Sequence, residues 1–372
     1  MKILINTAHQ RFGGAIQVAL SFIQECRSFK THEFVVWVGP GVRKSLKEEE
    51  FPNNFQFQHF DFGIISLRKT YLINKRLQKA EKKWQPEVVI STSGPTYFHS
   101  QAPQIIGFNL GLYIYPESPF QRKLPFITKL KGKLKRGIHF YFFKRDADAY
   151  VVQTEDVNQR VQKALKTEEV FTATNTASQF YRERKMRLPK LPLRRHGRFR
   201  FVTISSYYPH KNLGLIPEVL SHLKIKGVEN VDFVLTLKER DFDQHIGEHS
   251  NIFNVGPVPP EEGPGLYAEC DGMFLPTLAE CFSASYPEAM AMEKPIVTTD
   301  LGFARSICGE AALFFEPMNA KSAADQIIRL IGDVELQKNL ISKGKRQLKT
   351  FDSPRDRAEK YIALCEKLGN NR

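Results

Sequence analysis

The sequence lacks long hydrophobic runs: nowhere in its 372 residues are 18 consecutive apolar residues found. A helix that crosses a bilayer needs about 20 such residues, so no membrane-spanning helix is predicted. Residues 1–6 are mostly apolar, but they are typical of a first β-strand and are too short for a signal peptide. We therefore expect a cytoplasmic protein.

Cysteine is scarce and scattered. The chain has five cysteines, an odd number, and no two of them form a Cys-x-x-Cys pair. Disulfide frameworks and zinc sites use paired or closely spaced cysteines, so the sequence indicates neither kind of site. Reduced thiols are expected.

Acidic residues are absent from one basic segment and nearly absent from another. Residues 121–145 carry nine Lys or Arg and no acid, and residues 182–200 carry nine with one acid, whereas the net charge of the whole chain is +14. The first segment also contains Phe, Ile and Leu, a composition that suits an anionic membrane surface. A solvated helix whose apolar residues face the core is an equal alternative. No nucleic-acid-binding module accompanies the charge, so nucleic acid is not an expected partner.

Short apolar runs alternate with longer amphipathic stretches, the pattern of an α/β protein with parallel sheets. The chain is also too long for one ordinary core. We predict two α/β domains at residues 1–185 and 199–352, with a basic, proline-containing linker at residues 186–198. Ser353 before Pro354 predicts the start of a separate terminal helix over residues 353–372.

The predicted strands are residues 2–6, 34–38, 55–60, 87–90, 104–108 and 149–152 in the first domain, and residues 199–205, 232–237, 252–255, 272–275, 295–299 and 312–315 in the second.

Two carboxylates lie eight positions apart in residues 280–290 (ECFSASYPEAM), at a predicted strand-to-helix junction. Glu280 falls in the loop after the strand. Glu288 falls in the first turn of the helix, where free backbone amides attract a phosphate or a sugar hydroxyl. Ligands bind in such crevices of open α/β sheets. Ser285 and Glu288 also fit a capping box, which would be a purely structural role.

Two further loops are predicted at the carboxyl ends of strands. Gly13 and Gly14 follow the first strand, where paired glycines let a ligand approach the backbone. His210 and Lys211 follow the first strand of the second domain, where an ammonium can neutralise a leaving diphosphate. A plain turn and a solvated lysine are the simpler interpretations. The coincidence of the loops favours one crevice between the domains.

Together these residues resemble the retaining glycosyltransferases of family 4, which have the GT-B architecture of two Rossmann-like domains facing across a cleft. The resemblance runs from residue 201 to about residue 330. It rests on Glu280-x7-Glu288, on residues 295–302 (PIVTTDLG) and on residues 254–258 (NVGPV). In the first domain only the glycine pair and the order of strands are similar. In this family the terminal helix crosses back onto the first domain.

The resemblance implies a role for each matching position. Glu280 would bind hydroxyls of the donor sugar or stabilise charge at the reacting carbon, Glu288 would hold the ribose hydroxyls, and Lys211 would hold the diphosphate. No metal and no cofactor besides the nucleotide sugar is implied, because the lysine and helix amides stabilise the leaving group. The implied donor site comprises Gly13, Gly14, Ser206, His210, Lys211, Val258, Phe282, Ser283, Ala284, Ser285 and Glu288.

Three positions depart from the family pattern. The arginine that often precedes the lysine by five residues is Ser206, which leaves one cation fewer for the diphosphate; Arg11 is a candidate to replace it. The usual Gly-Phe-Gly after the first glutamate is residues 281–283 (CFS), a change that would alter which sugar fits. The histidine often found after the fifth strand is Asn109, so Asn109 and Arg11 are the acceptor-side candidates.

The sequence thus predicts a metal-independent glycosyltransferase that moves a sugar, with retention, from a UDP- or GDP-sugar to a glycan or lipid-linked acceptor in surface polysaccharide synthesis. Residues 121–145 would rest on the inner face of the cell membrane. Two alternatives stay open. A nucleotide-sugar epimerase of the same architecture would consume the donor without an acceptor. A non-catalytic subunit that binds a nucleotide sugar or glycan is favoured by Ser206, Ser283 and Asn109.

Overall fold

A computed structural model describes residues 1–11, 13–183, 191 and 196–370. The chain divides into two compact units. Unit 1 comprises Met1–Ile114, Leu124–Asn175 and Asp352–Arg372, and unit 2 comprises Tyr115–Lys123 and Thr176–Phe351. Each unit is built on its own parallel sheet.

Unit 1 contains a seven-stranded sheet in the order β3-β2-β1-β4-β5-β6-β7, in which every pairing is parallel. The strands are β1 Lys2–Asn6, β2 Glu33–Val38, β3 Phe55–His59, β4 Val88–Ser91, β5 Gln104–Gly107, β6 Ala149–Val152 and β7 Val170–Thr172. The inner strands are buried on both faces, which explains their continuous apolar sequences.

Helices connect these strands in unit 1. They are α1 Ala15–Cys26, α2 Pro40–Arg43, α3 Leu67–Trp84, α4 Gly111–Ile114, α6 Phe126–Asp146 and α7 Glu155–Leu165; α5 Pro119–Lys123 interrupts the series and belongs to unit 2. A short 3₁₀ helix covers Glu48–Glu50.

Unit 2 contains a six-stranded, all-parallel sheet in the order β10-β9-β8-β11-β12-β13. Its strands are β8 Phe199–Thr203, β9 Val231–Leu235, β10 Ile252–Asn254, β11 Gly272–Leu275, β12 Ile296–Thr299 and β13 Ala312–Phe315. Its helices are α5, α8 Gln179–Glu183, α9 Leu215–Ile225, α10 Glu239–His245, α11 Gly263–Ala268, α12 Ser285–Ala291, α13 Gly302–Cys308, α14 Ala320–Ile331 and α15 Val334–Leu348, with 3₁₀ turns at Pro209–Lys211 and Pro260–Glu262.

The terminal helix, α16 Pro354–Gly369, belongs to unit 1. Ser353 caps it: its hydroxyl accepts from the amide of Asp356, whose carboxylate accepts from the amide of Ser353. The helix packs on α1, where the rings of Tyr361 and Phe22 meet edge to face at 5.1 Å. The predicted helix start and its return to the first domain are confirmed.

The boundary between the units differs from the predicted one. The predicted first domain includes residues 115–123 and 176–183, yet both segments pack within unit 2. The hydroxyl of Ser118 donates to the carbonyl of Leu278 over 2.7 Å, and buried Tyr181 lies against Tyr267. Of the predicted linker, residues 186–198, only residues 191 and 196–198 are described, and the last of these, Arg198, pairs with Asp232 over 2.6 Å within unit 2.

Candidate active site

The strand order of unit 2 places two loops side by side. The order reverses between β8 and β11, and the chain leaves these neighbouring strands in different directions along the sheet. Ligands bind open α/β sheets at such switch points, beyond the carboxyl ends of the strands. The loop after β8 carries Lys211 and the loop after β11 carries Glu280. Sheet topology therefore brings these two sequence positions together.

Lys211 and Glu280 form an ion pair. The Nζ of Lys211 donates to Oε1 of Glu280, and the two side chains are only 15% and 13% exposed. The hydroxyl of Thr277 donates to the same carboxylate oxygen over 2.9 Å. A largely buried carboxylate needs charged or hydrogen-bonding partners, and Glu280 has both kinds. The predicted sugar-binding carboxylate thus contacts the predicted diphosphate-binding ammonium.

The loop that carries Glu280 is fixed by its neighbours. The hydroxyl of Thr299 at the end of β12 donates to the carbonyl of Thr277 over 2.6 Å. The amide of Leu278 donates to the carbonyl of His210 over 2.8 Å, which joins the two loops directly. These backbone contacts position the glutamate without using its own side chain. No local pattern in the sequence indicates Thr277 and Thr299 as supporting residues.

His210 precedes the lysine and is enclosed by aromatic rings. It stacks on Tyr208 at 5.6 Å and meets Phe120 edge to face at 6.2 Å. Burial lowers the pKa of His210; Lys211 acts in the same direction, whereas Glu280 raises the pKa. At neutral pH the imidazole is therefore uncharged, and the cation of this loop is Lys211.

Glu288 lies on α12 and meets a residue that the sequence did not single out. The hydroxyl of Tyr181 on α8 hydrogen-bonds to its carboxylate. Burial raises the pKa of Glu288 to about 7, although this hydrogen bond lowers it. Tyr181 is held in place by the edge-to-face ring of Tyr267 at 5.8 Å. A carboxyl group that titrates near neutral pH therefore sits beside a buried phenol.

The predicted capping box at the start of α12 is wrong. The helix begins at Ser285 rather than after it, and Ala284 is the N-cap residue, without a side-chain capping bond. The hydroxyl of Ser285 instead donates to the carbonyl of Ile204 over 3.3 Å, next to the end of β8. Glu288 lies one position too far along the helix for the reciprocal bond. Its side chain is thus available for Tyr181.

The remaining donor-side candidates of unit 2 differ in how deeply they are buried. Ser283 is buried, whereas the ring of Phe282 is half-buried and meets Phe351 edge to face at 5.8 Å. Ser206 is exposed in the loop after β8. Val258 is half-buried in the loop after β10, beyond the 3-residue strand.

The candidates of unit 1 follow β1 and β5. Gly13 has a φ of +94°, and a Cβ built on it or on Gly14 would meet no atom within 4 Å, so both glycines border open space just before α1. Arg11 pairs with Asp61 over 2.6 Å. Asn109 is half-buried in the loop between β5 and α4. Neither Arg11 nor Asn109 contacts the glycines through a hydrogen bond among those that the described residues form.

A polar cluster at the switch point of the first sheet was not predicted. The side-chain amide of Gln10 donates to the hydroxyls of Ser93 and Thr92 over 3.0 and 3.3 Å, and Nε2 of His9 lies 3.4 Å from the same Ser93 hydroxyl. Burial lowers the pKa of His9 to about 4, so its ring is neutral. Residues 9–10 follow β1 and residues 92–93 follow β4, and only the order of the strands brings them together.

Two Asp-x-Asp sequences, a spacing that can hold a divalent metal, occur at residues 146–148 and 241–243. Asp146 is buried and pairs with Arg145 over 2.5 Å, while Asp148 accepts from the backbone amide of Gln104. Within the described parts of the chain, no three His, Cys, Asp or Glu side chains are grouped so that they could hold a metal ion.

The sequence matches one family model in the part of the chain that carries the site. Residues 188–347 match the family described as glycosyl transferases group 1. This part of the chain is therefore similar to the group 1 glycosyl transferases. The matched segment contains Lys211, Glu280 and Glu288, and it lies within unit 2.

Solved structures share the fold over the full length of the chain. They include sucrose-phosphate synthase from Thermosynechococcus elongatus (TM-score 0.73, 11% identity, 100% of both chains). The glycosyltransferase from Rickettsia africae ESF-5 has a TM-score of 0.72 and 17% identity, over 100% of this chain and 99% of that one. Anabaena Alr3699/HepE in complex with UDP-glucose has a TM-score of 0.68 and 16% identity, over 98% and 100%. The predicted GT-B fold, with two Rossmann-like sheets, is confirmed.

Proposed function

We propose that the protein is a retaining glycosyltransferase of family 4 that moves a sugar from a UDP- or GDP-sugar to a glycan or lipid-linked acceptor, in the synthesis of a surface polysaccharide. The observation that carries the proposal is the buried Lys211–Glu280 pair at the switch point of the second sheet. The family match to this unit supports sugar transfer. The HepE structure with UDP-glucose supports a nucleotide sugar as the donor.

In the proposed reaction the bond between the anomeric carbon and the phosphate oxygen breaks, and its electron pair leaves with the diphosphate. The acceptor hydroxyl oxygen bonds to the same face of that carbon, and its proton passes to the leaving phosphate. Lys211 stabilises the negative charge that develops on the diphosphate. Glu280 orients the donor sugar by accepting hydrogen bonds from the sugar hydroxyls. Catalysis then consists of positioning and charge stabilisation, without a covalent intermediate and without a metal.

The Lys211–Glu280 ion pair would keep the ammonium in position until the donor binds. In the free protein Glu280 neutralises Lys211. The ammonium is therefore already held beyond the carboxyl ends of the strands before a ligand binds. A bound diphosphate competes with the carboxylate for the same ammonium, while Thr277 continues to donate to Glu280. Glu288 would accept hydrogen bonds from the ribose, in its ionised form, with Tyr181 as its fixed neighbour.

The proposed function is tested by turnover with a panel of UDP- and GDP-sugars and a mixture of glycan and lipid-linked acceptors. The expected result is an acceptor-dependent product that keeps the anomeric configuration of the donor, as read by NMR. Conversion of the donor to an isomer without an acceptor would instead identify an epimerase. Tight nucleotide-sugar binding with no conversion of any kind would identify a binding subunit.

We further propose that the protein associates peripherally with the inner face of the cell membrane through residues 121–145. Within residues 1–11, 13–183, 191 and 196–370, no helix is long and apolar enough to cross a bilayer. However, α6 exposes large apolar side chains among its lysines. They are Phe126, Ile127, Leu130, Leu134 and Tyr141. Basic and apolar side chains on one exposed helix are the combination that holds a helix at an anionic interface.

A further inference from the structure

Two adjoining hollows open on the surface of unit 1 between α3 and α6. The smaller one, of about 270 Å³, is lined by both helices and by the loop that carries Tyr97. The larger one, of about 530 Å³, is lined mainly by α6. Leu67, Leu134 and Ile138 line both hollows, so the two form one continuous groove. Neither hollow contains a residue of the proposed donor site.

The smaller hollow has polar and cationic walls. Lys131 and Lys135 line it from α6, and Ser66 lines it from the position before α3. Ser66 makes no capping bond to the helix, so its hydroxyl is not used there. Two ammonium groups and a hydroxyl around one cavity suit a phosphate group.

A histidine held by two tyrosines closes this hollow. The ring nitrogens of His139 lie 3.3 Å from the hydroxyl of Tyr97 and 3.2 Å from that of Tyr113. Burial and, to a smaller extent, the charge of Lys135 lower the pKa of His139 to about 4. A neutral ring fixed at both nitrogens forms a rigid wall, and the positive charge of the hollow comes from the lysines.

The larger hollow is apolar, and its surroundings are basic. Besides the shared residues it is lined by Tyr141 and Phe142, with Lys133 at its side. On the other side of the groove, α3 carries seven Lys or Arg and a single acid, Glu81, which lies near the far end of the helix. Exposed Leu67 and Tyr71 extend the apolar surface onto α3. The groove thus combines a cationic end with an apolar floor.

We propose that this groove binds a single anionic phospholipid, with the phosphate between Lys131 and Lys135 and an acyl chain along Leu67, Leu134 and Ile138. The complementarity of charge decides for a lipid over an apolar peptide, because the groove pairs two ammonium groups with an apolar channel. The proposal extends and rests on the peripheral membrane association proposed above. The groove would provide a defined lipid site, in addition to the non-specific attraction between the lysines and anionic headgroups.

Titration with dihexanoyl phosphatidic acid below its micelle concentration, followed by calorimetry, tests the site without a bilayer. The full-length protein is expected to bind one molecule saturably. Leu134→Glu places a carboxylate in the groove and is expected to weaken binding at least tenfold. Leu130→Glu is the matched control on the same helix. The two leucines are 68% and 58% exposed, but Leu130 lines neither hollow, so a change of at most twofold is expected.

Three results would overturn the proposal: no saturable binding to the wild type, equal losses in the two leucine variants, or equal affinity for dihexanoyl phosphatidylcholine. Binding of inorganic phosphate as tightly as the lipid would also overturn it, since the apolar channel would then contribute nothing. Lys131→Gln against Lys129→Gln provides a second matched pair if Leu134→Glu lowers the melting temperature. Vesicle sedimentation without monomer binding would leave the membrane association standing and contradict only the defined site.

Discussion

Glu280 is a charged side chain that is surrounded mostly by protein rather than by solvent. Glu280→Gln retains the side-chain shape and an oxygen that can accept from Thr277, but it removes the negative charge. Because the carboxylate is proposed to act on the sugar and not on the nucleotide, the transfer rate is expected to fall by about 10²-fold or more. The affinity for the nucleotide should not fall, because the diphosphate loses no contact and no longer competes with a carboxylate for Lys211.

Glu335→Gln on α15 is the matched control, since this side chain is 82% exposed in the same unit and pairs with Lys338. It should retain wild-type transfer. Full activity of Glu280→Gln would remove this glutamate from the proposed mechanism, and a large loss of nucleotide binding would assign it to the nucleotide.

Glu288 makes the stability of unit 2 depend on pH. Its pKa is about 7 in the folded protein, against a usual value of 4.5. Between these values the folded carboxyl group keeps a proton that the unfolded chain has released, so its contribution to the free energy of unfolding falls as pH rises from about 4.5 to about 7. Glu288→Gln should remove about 1–3 kcal/mol of this decrease.

Urea denaturation at pH 5 and pH 7.5 measures that slope. Tyr181→Phe is the control, because it removes the hydrogen bond but leaves the buried carboxyl group, so the decrease with pH should persist. An identical slope in the wild type and in Glu288→Gln would show that this carboxyl group does not titrate near neutral pH.

Among the elements, α6 has the most unusual surface. Its lysines are expected to hold the protein on vesicles of anionic lipid at low salt and to release it as the salt concentration rises, because screening shortens the range of the attraction. Replacing Lys129, Lys131, Lys133 and Lys135 together by Gln should weaken sedimentation at least tenfold, at about 1 kcal/mol for each charge. Sedimentation that is insensitive to both salt and these substitutions would contradict the peripheral association.

Most strands were predictable because buried parallel strands have continuous apolar sequences. The predicted segments overlap twelve of the thirteen strands in the described part of the chain, from β1 to β6 and from β8 to β13. Strand β7 was missed because its three residues, Val170–Thr172, are too short to show a pattern. The start of α12 was misplaced because Ser285 bonds to Ile204, a partner 81 residues away that local sequence does not indicate.

The site was predictable only in part, because some of its contacts join residues that are far apart in the sequence. Lys211, Glu280 and Glu288 lie in loops and helix starts whose position after a strand can be read locally. Tyr181 lies on a 5-residue helix that joins unit 2 from a segment assigned to the first domain. Its importance comes from packing against Tyr267, which no local pattern indicates.

At the scale of the molecule, each unit has one parallel sheet with one reversal of strand order. The reversal lies between β1 and β4 in unit 1 and between β8 and β11 in unit 2. The glycine pair follows β1, and the ion pair joins the loops after β8 and β11. In each sheet, the strand order therefore places loops that are far apart in sequence next to one another, beyond the carboxyl ends of neighbouring strands.

Thermal shift with UDP, GDP, ADP and their sugars, on the wild type and on Lys211→Gln, measures whether Lys211 anchors a nucleoside diphosphate in unit 2, as we claim. At about 100 times its dissociation constant the correct nucleotide adds roughly 2.7 kcal/mol, which corresponds to a rise of about 5–10 °C in the melting temperature. In the variant the rise should be at most about 2 °C. No shift with any nucleotide, or equal shifts in the two proteins, would contradict the claim.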